Sequence, residues 1–175
     1  MIKVGFIGAG DIAYLHGEGV QSSSNAELYG IWNRTRSKAE EKASLFDSRV
    51  FDSPEDLIEA VDVVYVLTNM ETHHAYCMQA IEAGKHVLVE KPTAVTIEEI
   101  EEIKAFAHQK GVQVAPVHNY VYEAPVMRAK ELIESGKLGD LVSIYVLYNI
   151  HHPEEVAARY PGVIRQILTH HAYCT

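Results

Sequence analysis

The sequence predicts an α/β protein: a doubly wound parallel sheet followed by the beginning of a second, α+β domain. Three observations carry this. Apolar runs of strand length alternate with helical patterns from the first residue to about Val117. A glycine-rich turn closes the first run and opens the first helix. Past Val117 the alternation gives way to a helix and then a long alternating stretch.

Ile2–Ile7 is a short apolar run ending in glycine, as suits a strand buried on both faces. Residues 11–22 follow as a helix that Gly17 and Gly19 weaken, while letting it sit close to the sheet. Ala26–Trp32 reads as a second strand, 37–46 as a helix and 50–51 as a short third strand. Ser53-Pro54-Glu55-Asp56 is a helix start, with an N-cap serine, proline in the first turn and acids behind it. Residues 61–67 form a β-branched strand, 71–83 a helix stopped by Gly84, and His86–Val89 a fifth strand. Thr96-Ile97-Glu98-Glu99 is a capping box, after which Ile97, Ile100, Ile103 and Ala107 form one apolar stripe. Residues 112–117 are the sixth strand. Beyond it, Ala124–Glu134 is a helix ended by Gly136, and 141–150 a strand opening a new sheet. Residues 151–161 read as a loop or short helix and 162–175 as a helix. The expected domains are 1–118 and 119–175.

Bulk numbers exclude several functions. The chain has 175 residues, 47% of them hydrophobic and 22% charged, so it is expected to bury a sizeable core. Its net charge of −9 opposes a phosphate backbone, so nucleic acid is not an expected partner. No apolar run reaches membrane-spanning length and no leader is apparent, so neither a membrane nor a secretory context is expected. The two cysteines, Cys77 and Cys174, form no motif, and a reducing, cytoplasmic compartment fits them. Histidine doublets at His73-His74, His151-His152 and His170-His171 invite a metal site. Adjacent helical residues point apart, however, so no metal is expected.

Gly8-Ala9-Gly10-Asp11-Ile12-Ala13 matches G-x-G-x-x-G/A between a strand and a helix. Gly8 permits the tight turn, Gly10 lets backbone approach a pyrophosphate, and Ala13 lets the helix pack on the strand. The helix N-terminus then offers free N–H groups to phosphate. These features predict a Rossmann-type domain holding a nicotinamide dinucleotide. An NAD enzyme usually ends its second strand in Asp or Glu to bind the ribose 2′-OH. Here the strand ends Trp32-Asn33-Arg34-Thr35. No carboxylate repels a 2′-phosphate there, and Arg34 is placed to pair with one or to lie on the adenine face, so NADP(H) is expected over NAD(H). The plainer reading, Arg34 and Arg36 as a solvated helix start, stays open.

Ordered motifs extend the match: the Gly8–Ala13 turn, Thr68-Asn69-Met70-Glu71-Thr72-His73, Ala83-Gly84-Lys85-His86-Val87-Leu88-Val89-Glu90-Lys91-Pro92, and Asn119. In these the chain resembles the Gfo/Idh/MocA family of glucose–fructose oxidoreductases and inositol dehydrogenases. The resemblance covers the first domain and enters the second, whose remainder in that family forms the substrate pocket and the oligomer interface. The chain therefore reads as a shortened relative or a fragment. The resemblance implies that Thr68, Asn69 and His73 line the nicotinamide side of the crevice, with Asn119 beside the cofactor. It implies that Glu90, Lys91 and Pro92 are the family's Glu-Lys-Pro signature, the lysine reaching the substrate and the proline able to be cis. The family's Asp-x-x-x-His pattern falls at Gln166 and His170, with glutamine in place of the aspartate.

Hydride transfer from an alcohol needs a group to take the hydroxyl proton. Lys91 and His170 are the candidates, with Tyr120 and Gln166 as substrate contacts. The expected activity is an NAD(P)-dependent oxidoreductase acting on the CH–OH group of a sugar, cyclitol or cyclic diol. One alternative is a cofactor-binding protein without catalysis, a redox sensor or remnant subunit. Another is transient oxidation in the service of hydrolysis or epimerisation. A homo-oligomer built through residues 120–175 is expected, because a lone strand at 141–150 has open edges.

Overall fold

The first strand, β1 (Ile2–Ile7), is buried from Val4 onward and pairs in parallel with both β2 (Ala26–Trp32) and β4 (Val63–Val66). β2 carries β3 (Arg49–Val50) on its outer side. β4 carries β5 (His86–Val89), which in turn pairs with β6 (Val114–Pro116). The order is β3-β2-β1-β4-β5-β6 in one six-stranded sheet. That is the doubly wound arrangement of dinucleotide-binding domains, in which the chain reverses its direction of growth between β1 and β4. The computed structural model describes residues 1–149, 151, 154 and 163–174. The chain divides into two compact units, Met1–Val117 and His118–Thr175.

Strand alternation sorts the core of the first unit into two layers. On one face Val4, Phe6, Leu28 and Ile31 pack against Ala13 and Val20 of α1 (Ile12–Gln21) and Ala39, Ala43 and Phe46 of α2 (Arg36–Phe46). On the other, Ile7, Val64, Val66, Val87 and Val89 meet α3 (Pro54–Ala60), α4 (His73–Glu82) and α5 (Ile97–Lys110). α3 begins where its serine predicts: Ser53 Oγ accepts from the Asp56 N–H at 3.1 Å, with Pro54 in the first turn. α5 carries the full capping box between Thr96 and Glu99, and Gly111 closes it at φ 70°.

Several expectations are corrected. The fourth strand is shorter than 61–67, and α4 begins only at His73, behind a 3-10 turn at Met70–Thr72. The α5 stripe is only half buried: Ile103 and Ala107 are covered, but Ile97 is 73% exposed and Ile100 is also open. The helical period shows which side faces inward, not how far along the helix the neighbouring layer reaches. Gly17 and Gly19 do not act alike. A Cβ on Gly17 would stand 2.3 Å from the Phe46 ring, so the close approach is to α2, while Gly19 faces open space.

The second unit holds a 3-10 turn (Asn119–Tyr122), α6 (Ala124–Glu134) and a helix at Val163–Cys174. Gly136 closes α6 at φ 70°. The strand expected over 141–150 is not formed in its described part, residues 141–149. The alternation is present, but a strand needs a neighbour to bond, and Val142 and Tyr145 are 93% and 94% exposed. Thus no strand lies among the unit's described residues. Ile150, most of the 151–161 loop or helix, and Gly162 and Thr175 lie outside the described residues. Among the described residues no helix is long and apolar enough to cross a membrane.

Gly17→Ala is expected to destabilise the chain by about 1–3 kcal/mol through overpacking against Phe46. Gly19→Ala, at an open helical position, is expected to stabilise it by about 0.5–1 kcal/mol. Urea unfolding of both variants checks the contrast, and equal shifts would contradict it.

Candidate active site

β1 leaves the sheet into a glycine turn at the point where the sheet reverses its growth. Gly8 adopts φ +114°, and a Cβ there would lie 2.7 Å from the carbonyl carbon and oxygen of Leu67, at the end of β4. Only glycine fits that approach. Gly10 has no atom within 4 Å of where its Cβ would stand, so the turn is open to a ligand on that side. Asp11, at the start of α1, makes no side-chain cap, while the Ala13 and Tyr14 N–H groups donate to the Gly10 and Asp11 carbonyls at 3.1 and 3.2 Å, so an anion would meet the amides ahead of them. Ala13 is fully buried against the sheet.

The ends of β1, β2 and β4 enclose a cleft of about 250 Å³. Of the predicted residues, Gly8, Gly10, Asn33, Arg34, Thr68 and Asn69 line it. Asn33 works mainly as a brace: its Oδ1 accepts from the Ala9 N–H at 3.0 Å and its Nδ2 donates to the Thr35 carbonyl at 2.9 Å. Thr72 closes the opposite wall by donating to Thr68 Oγ1 at 2.7 Å. Trp32 and Tyr76 meet edge to face at 5.8 Å and form an aromatic side. Burial, with Glu55 behind it, pushes the Tyr76 phenol up, and nearby Arg34 opposes the rise.

The basic residues around the start of α2, Arg34, Arg36 and Lys38, divide their labour. Arg36 is engaged on the surface by Glu40 at 2.8 Å and by Asp52. Arg34 and Lys38 both reach the cleft, and no carboxylate is among its lining residues. Sequence reasoning gave Lys38 no role: it lies in the first turn of α2 while Arg34 precedes that helix, so no helical spacing links the two.

His73 is not in the cleft lining. Its ring is 1% exposed, with Nδ1 2.8 Å from the Pro92 carbonyl oxygen and Nε2 2.9 Å from that of Thr68. It ties the loop after β4 to the loop after β5. Between those ties stand Glu90, buried, and Lys91, half-buried, with a cis Lys91–Pro92 peptide bond. The Glu90 carboxylate does not pair with the lysine ammonium. Its Oε1 accepts from His16 Nε2 at 2.8 Å, and its Oε2 from the Lys91 backbone N–H at 3.0 Å. Burial alone would raise the Glu90 carboxyl, but the His16 hydrogen bond and charge, then the Lys91 N–H and charge, hold it below the usual range. His16 was missed by sequence reasoning. The signal was its place on the buried face of α1 beside Ala13, Gly17 and Val20, where a polar group needs a partner.

The second unit brings together rings from three segments. Tyr120 stacks on His170 at 4.3 Å, His118 stacks on Tyr173 at 3.9 Å, and the Tyr120 and Tyr148 hydroxyls are 3.4 Å apart. The Tyr148 hydroxyl, then partial burial, hold the Tyr120 phenol above its usual value, and burial lowers the His118 imidazole. Asn119 is exposed in the 3-10 turn. Gln166 lies on the helix at Val163–Cys174, and its side chain is outside the described residues. Among the described residues no three His, Cys, Asp or Glu side chains converge as metal ligands.

A glycine turn, an uncapped helix start and a cleft at the point of reversal fit a dinucleotide. Residues 2–118 match the model of the GFO_IDH_MocA oxidoreductase family, NAD-binding Rossmann fold. The chain belongs to that family. It is 35% identical to glucose-6-phosphate 3-dehydrogenase of Bacillus subtilis (strain 168), over 83% of this chain and 42% of that protein. It is 34% identical to scyllo-inositol 2-dehydrogenase (NADP(+)) of the same organism, over 91% and 44%. Among solved structures it matches GenD2 from gentamicin A biosynthesis, in complex with NAD, at TM-score 0.74 and 29% identity, over 78% of this chain and 40% of that one. The chain thus spans less than half the length of each of these relatives.

Glu90 also makes a pH prediction. Its folded-state value lies below the unfolded one, so its contribution to stability is present above the unfolded value, about pH 4.3, and is lost as pH falls through the folded value. Unfolding free energies measured between about pH 6 and pH 3 are expected to fall less steeply in Glu90→Gln than in the parent chain. Parallel curves would contradict it.

Proposed function

We propose that the chain is the cofactor-binding part of an NAD(P)-dependent oxidoreductase. It would act on the CH–OH group of a sugar, cyclitol or cyclic diol, with NADP(H) preferred. The observation that carries the reading is a cleft at the reversal point lined by the Gly8–Gly10 turn and by Arg34 and Lys38, with no carboxylate in its lining. Relatives whose names specify a cofactor include both NADP(+) and NAD forms, so the preference rests on these side chains.

The Gly10 turn and the α1 amides would hold the diphosphate. Arg34 supplies a planar pair of donors for a 2′-phosphate, and Lys38 a second positive charge. Thr68 and Asn69, where the loop after β4 begins, line the cleft as well. The bound nicotinamide supplies the hydride chemistry. Lys91 at the end of β5 would take or return the hydroxyl proton. The roles implied by the family pattern for Tyr120, Gln166 and His170, as substrate contacts and as a further proton-handling group at His170, belong to this reading. So does the cytoplasmic setting, which the free thiols of Cys77 and Cys174 support.

The reading includes self-association through residues 120–175. Leu141, Val142, Tyr145 and Leu147 are all exposed on a segment without strand partners, a surface that a second copy of the chain would cover. Light scattering is expected to give a dimer or larger at high concentration. A monomer throughout would remove this part.

The decisive test is a fluorescence titration with NADPH and NADH in parallel. NADPH is expected to bind more tightly, and Arg34→Ala to weaken it about tenfold or more while changing NADH little. An unchanged NADPH dissociation constant in Arg34→Ala would overturn the preference, and binding of neither nucleotide would overturn the function.

A further inference from the structure

We propose that His16 is a positioning residue for Lys91 that acts through Glu90, holding the carboxylate toward α1 and off the lysine ammonium. The proposal rests on the reading of Lys91 as the group that handles the substrate proton.

A glutamate directly before a lysine, both partly out of water, would ordinarily swing into an ion pair with it. Here both carboxylate oxygens are already taken, Oε1 by His16 Nε2 and Oε2 by the Lys91 backbone N–H. Among the described residues the Lys91 ammonium makes no ion pair. The His16–Glu90 contact is well shielded, with the two side chains 14% and 10% exposed. The imidazole is itself held. It stands edge-on to Phe6 at 6.3 Å and to Tyr65 at 5.6 Å, and those two rings stack on each other at 5.3 Å. Its direction is therefore set by the β1 and β4 side chains beneath α1. On the other flank, His73 anchors the Pro92 carbonyl. Lys91 thus sits between two anchored neighbours, Glu90 and Pro92.

If His16 is lost, Glu90 regains its freedom and pairs with Lys91. The amine then becomes a poorer nucleophile, because a larger share of it stays protonated. Competitive acetylation of the full chain with limiting acetic anhydride near pH 8, read lysine by lysine by mass spectrometry, measures this directly. In His16→Phe the Lys91 rate is expected to drop about threefold against exposed Lys104 as the internal reference, the size of a modest ion pair. His16→Gln, which keeps a donor, is expected to restore most of the rate. In the Glu90→Gln background, replacing His16 is expected to change nothing further, since the effect runs through the carboxylate.

An unchanged Lys91 rate in a folded His16→Phe variant would overturn the proposal, and so would a further drop in the Glu90→Gln background. Where His16→Phe does not fold, His16→Asn, too short to reach Glu90, takes its place with the same expected drop. The measurement uses no cofactor. Failure of the NADPH titration and failure of this labelling are therefore separate results.

Discussion

Gly8 leaves β1 so close to the end of β4 that a Cβ would lie 2.7 Å from the Leu67 carbonyl. That approach aims α1 back across the sheet from a fixed point. Ala13, Gly17 and Val20 then become its buried face, and His16 comes to stand on the same side. The approach also brings Thr68 and Asn69 opposite the turn, which gives the cleft its second wall. A larger residue at position 8 would therefore move the phosphate-binding amides, the cleft and the support of Glu90 together. Three features that look separate in sequence share one steric cause.

The electrostatics depend on place more than on total charge. The chain carries −9 overall, yet its cleft is lined by Arg34 and Lys38 and by no carboxylate. A charge many ångströms away is largely screened at physiological salt, while one in the cleft wall is not. Arg36 illustrates the opposite fate: Glu40 and Asp52 claim it, so it adds nothing to the cleft. Two positions along the chain thus separate a cation that lines the cleft from one committed to the surface.

What was legible in the sequence follows from what local pattern encodes. β1, β2, β5 and α6 were readable to the residue, because apolar runs and turn residues mark both ends. The glycine turn was readable because each of its positions has a steric task. Harder were features that depend on a neighbour. Alternation over 141–150 looks like a strand, but a strand exists only where another chain segment bonds to it. Ile97 has the right period and still faces solvent. His73 sits in a motif that suggests a cleft residue, yet its ring is buried between two carbonyls. The turn glycines and Arg34 named from sequence do line the cleft, whereas Lys38 and His16 gained meaning only from what lies across from them.

The two histidines flanking Lys91 show why such support escapes a linear reading. His16 lies 74 positions from Glu90, and His73 19 positions from Pro92. Neither pairing has a local signature, because each is made by the sheet bringing α1 and α4 to the end of β5. A reactive lysine needs its backbone held and its ammonium left free, two demands that conflict when a glutamate is its neighbour. With Lys91 in the proposed role, the fold would meet both by giving the carboxylate a different partner, His16. The helix that supplies that partner is the one that follows the glycine turn lining the cleft, so on the proposed reading one rigid element would both seat the diphosphate and keep the amine after β5 available.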